Sequence, residues 1–160
     1  MVDINFEKVV DVETYEHTLS EDVADFQNML IEAKDEISFY NWCLNIVESY
    51  VGIFYANIVG VFLFRINPSV DDVDEWVWVI VGDLPPIYIT AEESPNAACA
   101  LDSYIGAMEE WIEAAEKGES VSELIPVNVL ANEENANSLK IRLTMLSERI
   151  LSQYKEDLKA

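Results

Sequence analysis

Nucleophilic catalysis needs a Ser, Cys or Thr held beside a base, most often a histidine. The chain has one histidine, His17, in a polar stretch. Its two cysteines, Cys43 and Cys99, lie 56 positions apart, each among apolar neighbours. His17 reads as a solvated surface residue, and no spacing ties it to Cys43. The cysteines read as two reduced core thiols of a cytosolic protein. Zinc takes about four N or S ligands, which two Cys and one His do not supply. The 5 glycines are scattered singly and form no phosphate-cradling loop.

Carboxylates are abundant, so each carries little information. The densest run is Asp71-Asp72-Val73-Asp74-Glu75. Such oxygens suit a hard cation, but the glycine and terminal glutamate of an EF-hand loop are missing. The run reads instead as a solvated hairpin loop whose charge opposes edge-to-edge aggregation. Glu32-Ala33-Lys34 matches half of a nuclease motif but falls mid-helix rather than on a strand. Asp83 sits in a turn, where an aspartate commonly satisfies turn amides. We therefore expect no catalytic residue, no cofactor and no metal. Trp42, Trp76, Trp78 and Trp111 suit a pocket lining, yet their spacing favours the core. Trp76 and Trp78 would form an exposed aromatic patch only if one sheet face were uncovered.

The elements that position these residues follow from periodicity. Ser20 precedes an acidic first turn and an apolar stripe, predicting a helix over about 21–37. Phe39, Trp42/Cys43, Ile46/Val47 and Tyr50 extend a helical stripe over about 38–50. Three short β-branched and aromatic runs predict strands at about 58–66, 75–81 and 87–90. Along the second, Trp76, Trp78 and Ile80 face one way and Val77, Val79 and Val81 the other, so both sheet faces need cover. Short connections make the three an antiparallel meander. Helices are predicted at about 96–117, ending at Gly118, and at about 132–158, capped by Asn132. Val121 to Val129 reads as an extended segment or edge strand around Pro126. Residues 1–18 suit either a loose strand or a short helix. The whole is a single α+β domain, 1–160.

Charge is the strongest global signal. The 160 residues hold 9 Lys or Arg and 31 Asp or Glu, for a net charge of −22, yet 51% are hydrophobic and mean hydropathy is +0.08. Apolar content this high excludes an acidic disordered tail. The charge excludes direct binding to nucleic-acid backbones or anionic lipid. No run approaches the ~20 apolar residues of a membrane span, and the first 17 residues lack the basic and apolar regions of a secretory signal. A cytoplasmic location is the expectation. Residues 1–64 hold 12 acids and 2 bases, residues 65–131 hold 14 and 2, and residues 132–160 hold 5 of each. The acid excess is therefore local. An alternative is that Lys140, Arg142, Arg149, Lys155 and Lys159 simply balance acids on neighbouring helices.

The stretches Val61-Phe-Leu-Phe-Arg65, Asp74 to Tyr88, Tyr104 to Trp111 and Leu124-Ile-Pro-Val-Asn128 resemble a group of small acidic bacterial proteins. The most specific part is Trp76-x-Trp78-x-x-x-Gly82-Asp-Leu-Pro-Pro86, and the resemblance covers about residues 50 to 150. It supplies no catalytic residues. In size and charge the chain is also similar to immunity proteins of contact-dependent growth inhibition systems. The expected function is an acidic binding protein, an immunity or antitoxin protein neutralising a basic toxin domain such as a nuclease. Its expected surface is Asp102, Glu109, Glu113 and Glu116 on one helix face, with Asp71, Asp72, Asp74 and Glu75 in the loop. Three alternatives share the sequence: an acidic domain serving solubility, a nucleic-acid mimic, and a small metal-dependent enzyme using Asp71, Asp74 or Asp83.

Overall fold

Two long apolar strands and the helices that cover them organise the chain. The computed structural model describes residues 3–71, 73–127 and 129–159. A 3-10 turn at Phe6–Lys8 leads into β1 (Val10–Asp11) and α1 (Val12–Thr18), followed by α2 (Val23–Ser38). Then come β2 (Cys43–Tyr55), β3 (Val59–Pro68), β4 (Trp76–Gly82) and β5 (Ile87–Thr90). The helix α3 (Ala97–Lys117) and α4 (Glu133–Met145) complete the fold, with π and 3-10 turns carrying α4 on to Tyr154. Among the described residues the sheet has five strands, antiparallel throughout, in the order β1-β2-β3-β4-β5.

The sheet separates two cores. Val59, Val61, Leu63, Trp78 and Ile80 join Leu101, Tyr104, Met108 and Trp111 of α3 and Leu139 and Leu143 of α4. On the other face Phe62, Phe64, Val77, Val79 and Val81 meet Phe26, Met29, Ala33 and Ile37 of α2. The alternation along β4 thus holds as read, and both faces are covered. Trp78 is fully buried, and its Nε1 donates to the Ser94 carbonyl at 2.8 Å. Trp76 is half-buried, edge-on to Phe6 at 5.1 Å. The pair is therefore core and core margin, with no open aromatic patch.

The predicted helix at 38–50 is wrong: Cys43–Tyr55 is a strand paired along β3. Its register shifts three times, between Cys43 and Asn45, Ile46 and Glu48, and Val51 and Ile53. Each bulge admits an extra residue and breaks the period-two pattern. The apolar residues consequently fall at spacings that imitate a helical stripe. The sheet has five strands rather than three because β2 joins it, and because Val10–Asp11 adds a two-residue edge. Residues 1–18, open between strand and helix, use both within the described part. Asp11 caps α1 by accepting from the amides of Glu13 and Thr14.

Other boundaries move for local reasons. Asp22, at φ 64°, takes the N-cap position of α2 in place of Ser20. Asn96 caps α3 by accepting from the Cys99 amide at 2.9 Å, and Gly118 ends the helix at φ 70°. The predicted helix over 132–158 begins at its Asn132 cap as expected but does not stay α-helical. It passes through a π turn at Leu146–Ile150 and a 3-10 turn at Leu151–Tyr154. There the Ser152 hydroxyl and Gln153 amide donate to carbonyls four residues back, a competition that bends helices. Among described residues, 121–127 form turns and coil instead of a strand. Pro126 has no N–H to offer a ladder.

Candidate functional site

The acidic stripe of α3 becomes one wall of a groove. Glu109, Glu113 and Glu116 project from α3, while Lys140, Thr144, Ser147 and Glu148 approach from α4 and its π turn. Ile112 and Leu143 form the apolar floor of a cavity of about 450 Å³. The Glu113 carboxylate accepts from Lys117 Nζ at 2.6 Å, which pulls Glu113 below the usual carboxylate range and raises Lys117. Lys140 Nζ lies 3.4 Å from Glu116. Both pairs are solvated, and such pairs contribute little to stability. The seam continues past Glu116 and Lys117 to Glu133 and Glu134 at the start of α4. The result is a channel rich in carboxylates, with two ammonium groups along it.

Of the predicted surface, the structure brings three residues together. Asp102 is exposed on α3 but lies outside the groove, where its charge helps raise the Cys99 thiol after burial. The loop acids are elsewhere, since Val73 packs on the α2-side core, across the sheet from α3. Asp71 and Glu75 are exposed there, and Asp72 lies outside the described residues. Asp74 is half-buried: one oxygen accepts from the Trp76 amide at 3.1 Å, and the other is buried without a partner among the described residues. Asp74 therefore holds the entry to β4. Sequence reasoning missed Glu133, Glu134 and Glu148, and read Lys140 only as a base balancing acids on a neighbouring helix, the role its pairing with Glu116 shows. They sit in the charge-balanced segment, and only the packing of α4 on α3 carries them to the groove.

The other candidates are placed as follows. His17 is exposed at the end of α1. Cys43 lies in the α2-side core and Cys99 at the start of α3, both as free thiols, and burial pushes both up. The Cys99 Sγ reaches the Asp157 carbonyl at 3.5 Å. Glu32 lies within α2, away from any strand, and burial then Glu36 raise its carboxyl. Asp83 serves as a strut: its amide donates to the Ile58 carbonyl and its carbonyl accepts from Arg142 Nη1 at 2.8 Å. Among the described residues, no three His, Cys, Asp or Glu side chains are grouped as a metal would require. No helix among them is long and apolar enough to cross a membrane.

Comparison with protein-family models, with curated proteins and with solved structures finds no match.

Proposed function

We propose that this chain is an acidic binding protein that neutralises a basic protein partner, acting as an immunity or antitoxin protein against a cationic toxin domain. The observation that carries the reading is the groove between α3 and α4, where Glu109, Glu113, Glu116 and Glu148 converge over an apolar floor. A field from a chain of net charge −22 draws a basic partner inward before contact, over the Debye length of about 8 Å at physiological salt. The floor, Ile112 and Leu143, then offers apolar contact once water leaves. A toxin whose active site grips nucleic acid presents the matching surface of lysines and arginines. Covering that surface, or the flank beside it, silences the toxin.

The test is capture from producing cells with the full chain and with the double variant Glu109→Lys/Glu148→Lys. Both positions are exposed, so the fold persists. Close interfacial charge pairs couple by about 1.5 kcal/mol or more. Each reversal should then weaken a basic partner about tenfold, and association should slow as salt rises. Recovery of no basic protein, or equal capture by the double variant, refutes the reading.

A further inference from the structure

We propose that the outer edge of β5 is a second docking site, which accepts an extended cationic polypeptide segment as an added strand. It concerns a different surface from the α3–α4 groove and stands or falls on its own measurement. β5 is the last strand of the sheet and pairs with β4 in unbroken register from Ile80↔Ile87 to Val77↔Thr90. In such a ladder alternate residues turn their N–H and C=O groups outward. No backbone hydrogen bond from the described residues reaches that outer side. Sheet edges are commonly guarded by shortness, a charged side chain, an internal proline or a bulge. Ile87-Tyr-Ile-Thr90 is short, at four residues, but carries none of the other three.

A groove of about 480 Å³ runs along this edge and straddles the sheet. Tyr40 and Tyr88 wall it from the α2 side, while Ser103 and Ala107 of α3 wall it from the other. Ile125 and Pro126 form the rim. An added strand there would point alternate side chains toward Tyr40 and toward Ala107, the pattern that gives strand addition its specificity. The chain does not fill the space with its own neighbouring segment: residues 121–127 turn instead of pairing, and Pro126 has no N–H to donate.

Charge selects the occupant. No Lys or Arg occurs between Lys34 and Arg65, between Arg65 and Lys117, or between Lys117 and Lys140. Every residue lining the groove comes from these base-free stretches. Glu36 accepts from the Tyr40 hydroxyl at 3.3 Å, and Glu92, Glu110 and Glu123 are exposed and lie two or three positions in sequence from the lining residues Thr90, Ala107 and Ile125. A second copy of a chain with net charge −22 is repelled from such an edge. A strand alternating apolar residues with Lys or Arg matches it in shape, hydrogen bonding and charge.

The experiment titrates the full, isotope-labelled chain with three capped heptapeptides, read by amide chemical shifts. One alternates Lys and Val, one alternates Glu and Val, and one is the Lys/Val peptide with a central proline. The Lys/Val peptide should shift the amides of Ile87 to Thr90 and of Ser103 and Ala107. The acidic and proline peptides should bind at least about tenfold more weakly. Ser103→Arg, at an exposed position, and Ala107→Arg should each abolish the shifts while leaving circular dichroism unchanged. Glu109→Lys/Glu148→Lys should leave them intact, which separates this edge from the α3–α4 groove. Equal binding of the proline peptide, shifts confined to the α3–α4 seam, or self-pairing through β5 would each overturn the proposal.

Discussion

Trp78→Phe should cost far more stability than Trp76→Phe, although the two tryptophans look equivalent in the sequence. Trp78 has no solvent exposure, and its Nε1 donates to the carbonyl of Ser94, itself 1% exposed. Truncation of a buried Trp to Ala costs about 3–5 kcal/mol, so the smaller step to Phe costs about 1–2 kcal/mol in packing and cavity. Leaving the Ser94 carbonyl buried without a donor adds about 1–3 kcal/mol. The total is about 2–5 kcal/mol. Trp76 is half-buried, and a phenyl ring there keeps the edge contact with Phe6, so its cost stays below about 1 kcal/mol. With a urea slope of about 2 kcal/mol/M, the midpoint should fall by about 1–2.5 M for Trp78→Phe and by less than about 0.5 M for Trp76→Phe. The bond also has a positional consequence. Ser94 lies two residues before Asn96, the cap of α3, so losing it should speed hydrogen exchange at the Cys99 amide. Equal midpoint shifts, or a larger one for Trp76→Phe, would refute the reasoning.

Two further predictions test the backbone and the phenols. Gly82 sits at φ +141°, and a Cβ there would lie 2.2 Å from the Ile58 carbonyl oxygen. Gly82→Ala should therefore cost about 2–5 kcal/mol by thermal melting, whereas Gly106→Ala, in α3 with nothing within 4 Å, should gain about 0.5–1 kcal/mol. Burial, the Glu36 carboxylate and Tyr88 push the Tyr40 hydroxyl up to about 12. The unfolded phenol ionises near 10, so the folded state holds the proton more tightly. That contribution is complete below about pH 10 and lost as pH rises toward about 12. Tyr40→Phe should flatten the decline in urea midpoint over that interval. An unchanged slope would count against the assignment.

Sequence patterns were most legible where one element determines them. The alternation along Trp76–Val81 gave both faces of β4, because a regular strand has period two whatever surrounds it. The α3 stripe and its acidic face followed from helical spacing, with Asn96 and Gly118 marking the ends. β2 was illegible because three bulges scramble its period, and its identity depends on pairing with β3. The candidate site divides the same way. Glu109, Glu113 and Glu116 share a helix face and were visible as a set, while Glu148 reaches them only through the π turn and the packing of α4. Asp74 looked like a free surface acid because nothing local reveals that its carboxylate caps the Trp76 amide.

The distribution of bases argues against acidity that serves solubility alone. Lys8 pairs with Asp157, Arg142 approaches Asp83 and Lys140 reaches Glu116, each joining segments distant in sequence. These bases pin the C-terminal segment and the N-terminal turn to the rest of the fold, as the balancing alternative required for Lys140 and Arg142. They leave the sheet edge at β5 with no base in any lining segment. At the α3–α4 seam the two bases present, Lys117 and Lys140, each pair with a groove carboxylate. A solvated coat also has no need of an apolar floor beneath it, yet Ile112 and Leu143 lie under the carboxylates of the α3–α4 groove. Carboxylates above apolar side chains, on a rigid two-helix seam, form a surface suited to a partner that brings cations and then excludes water.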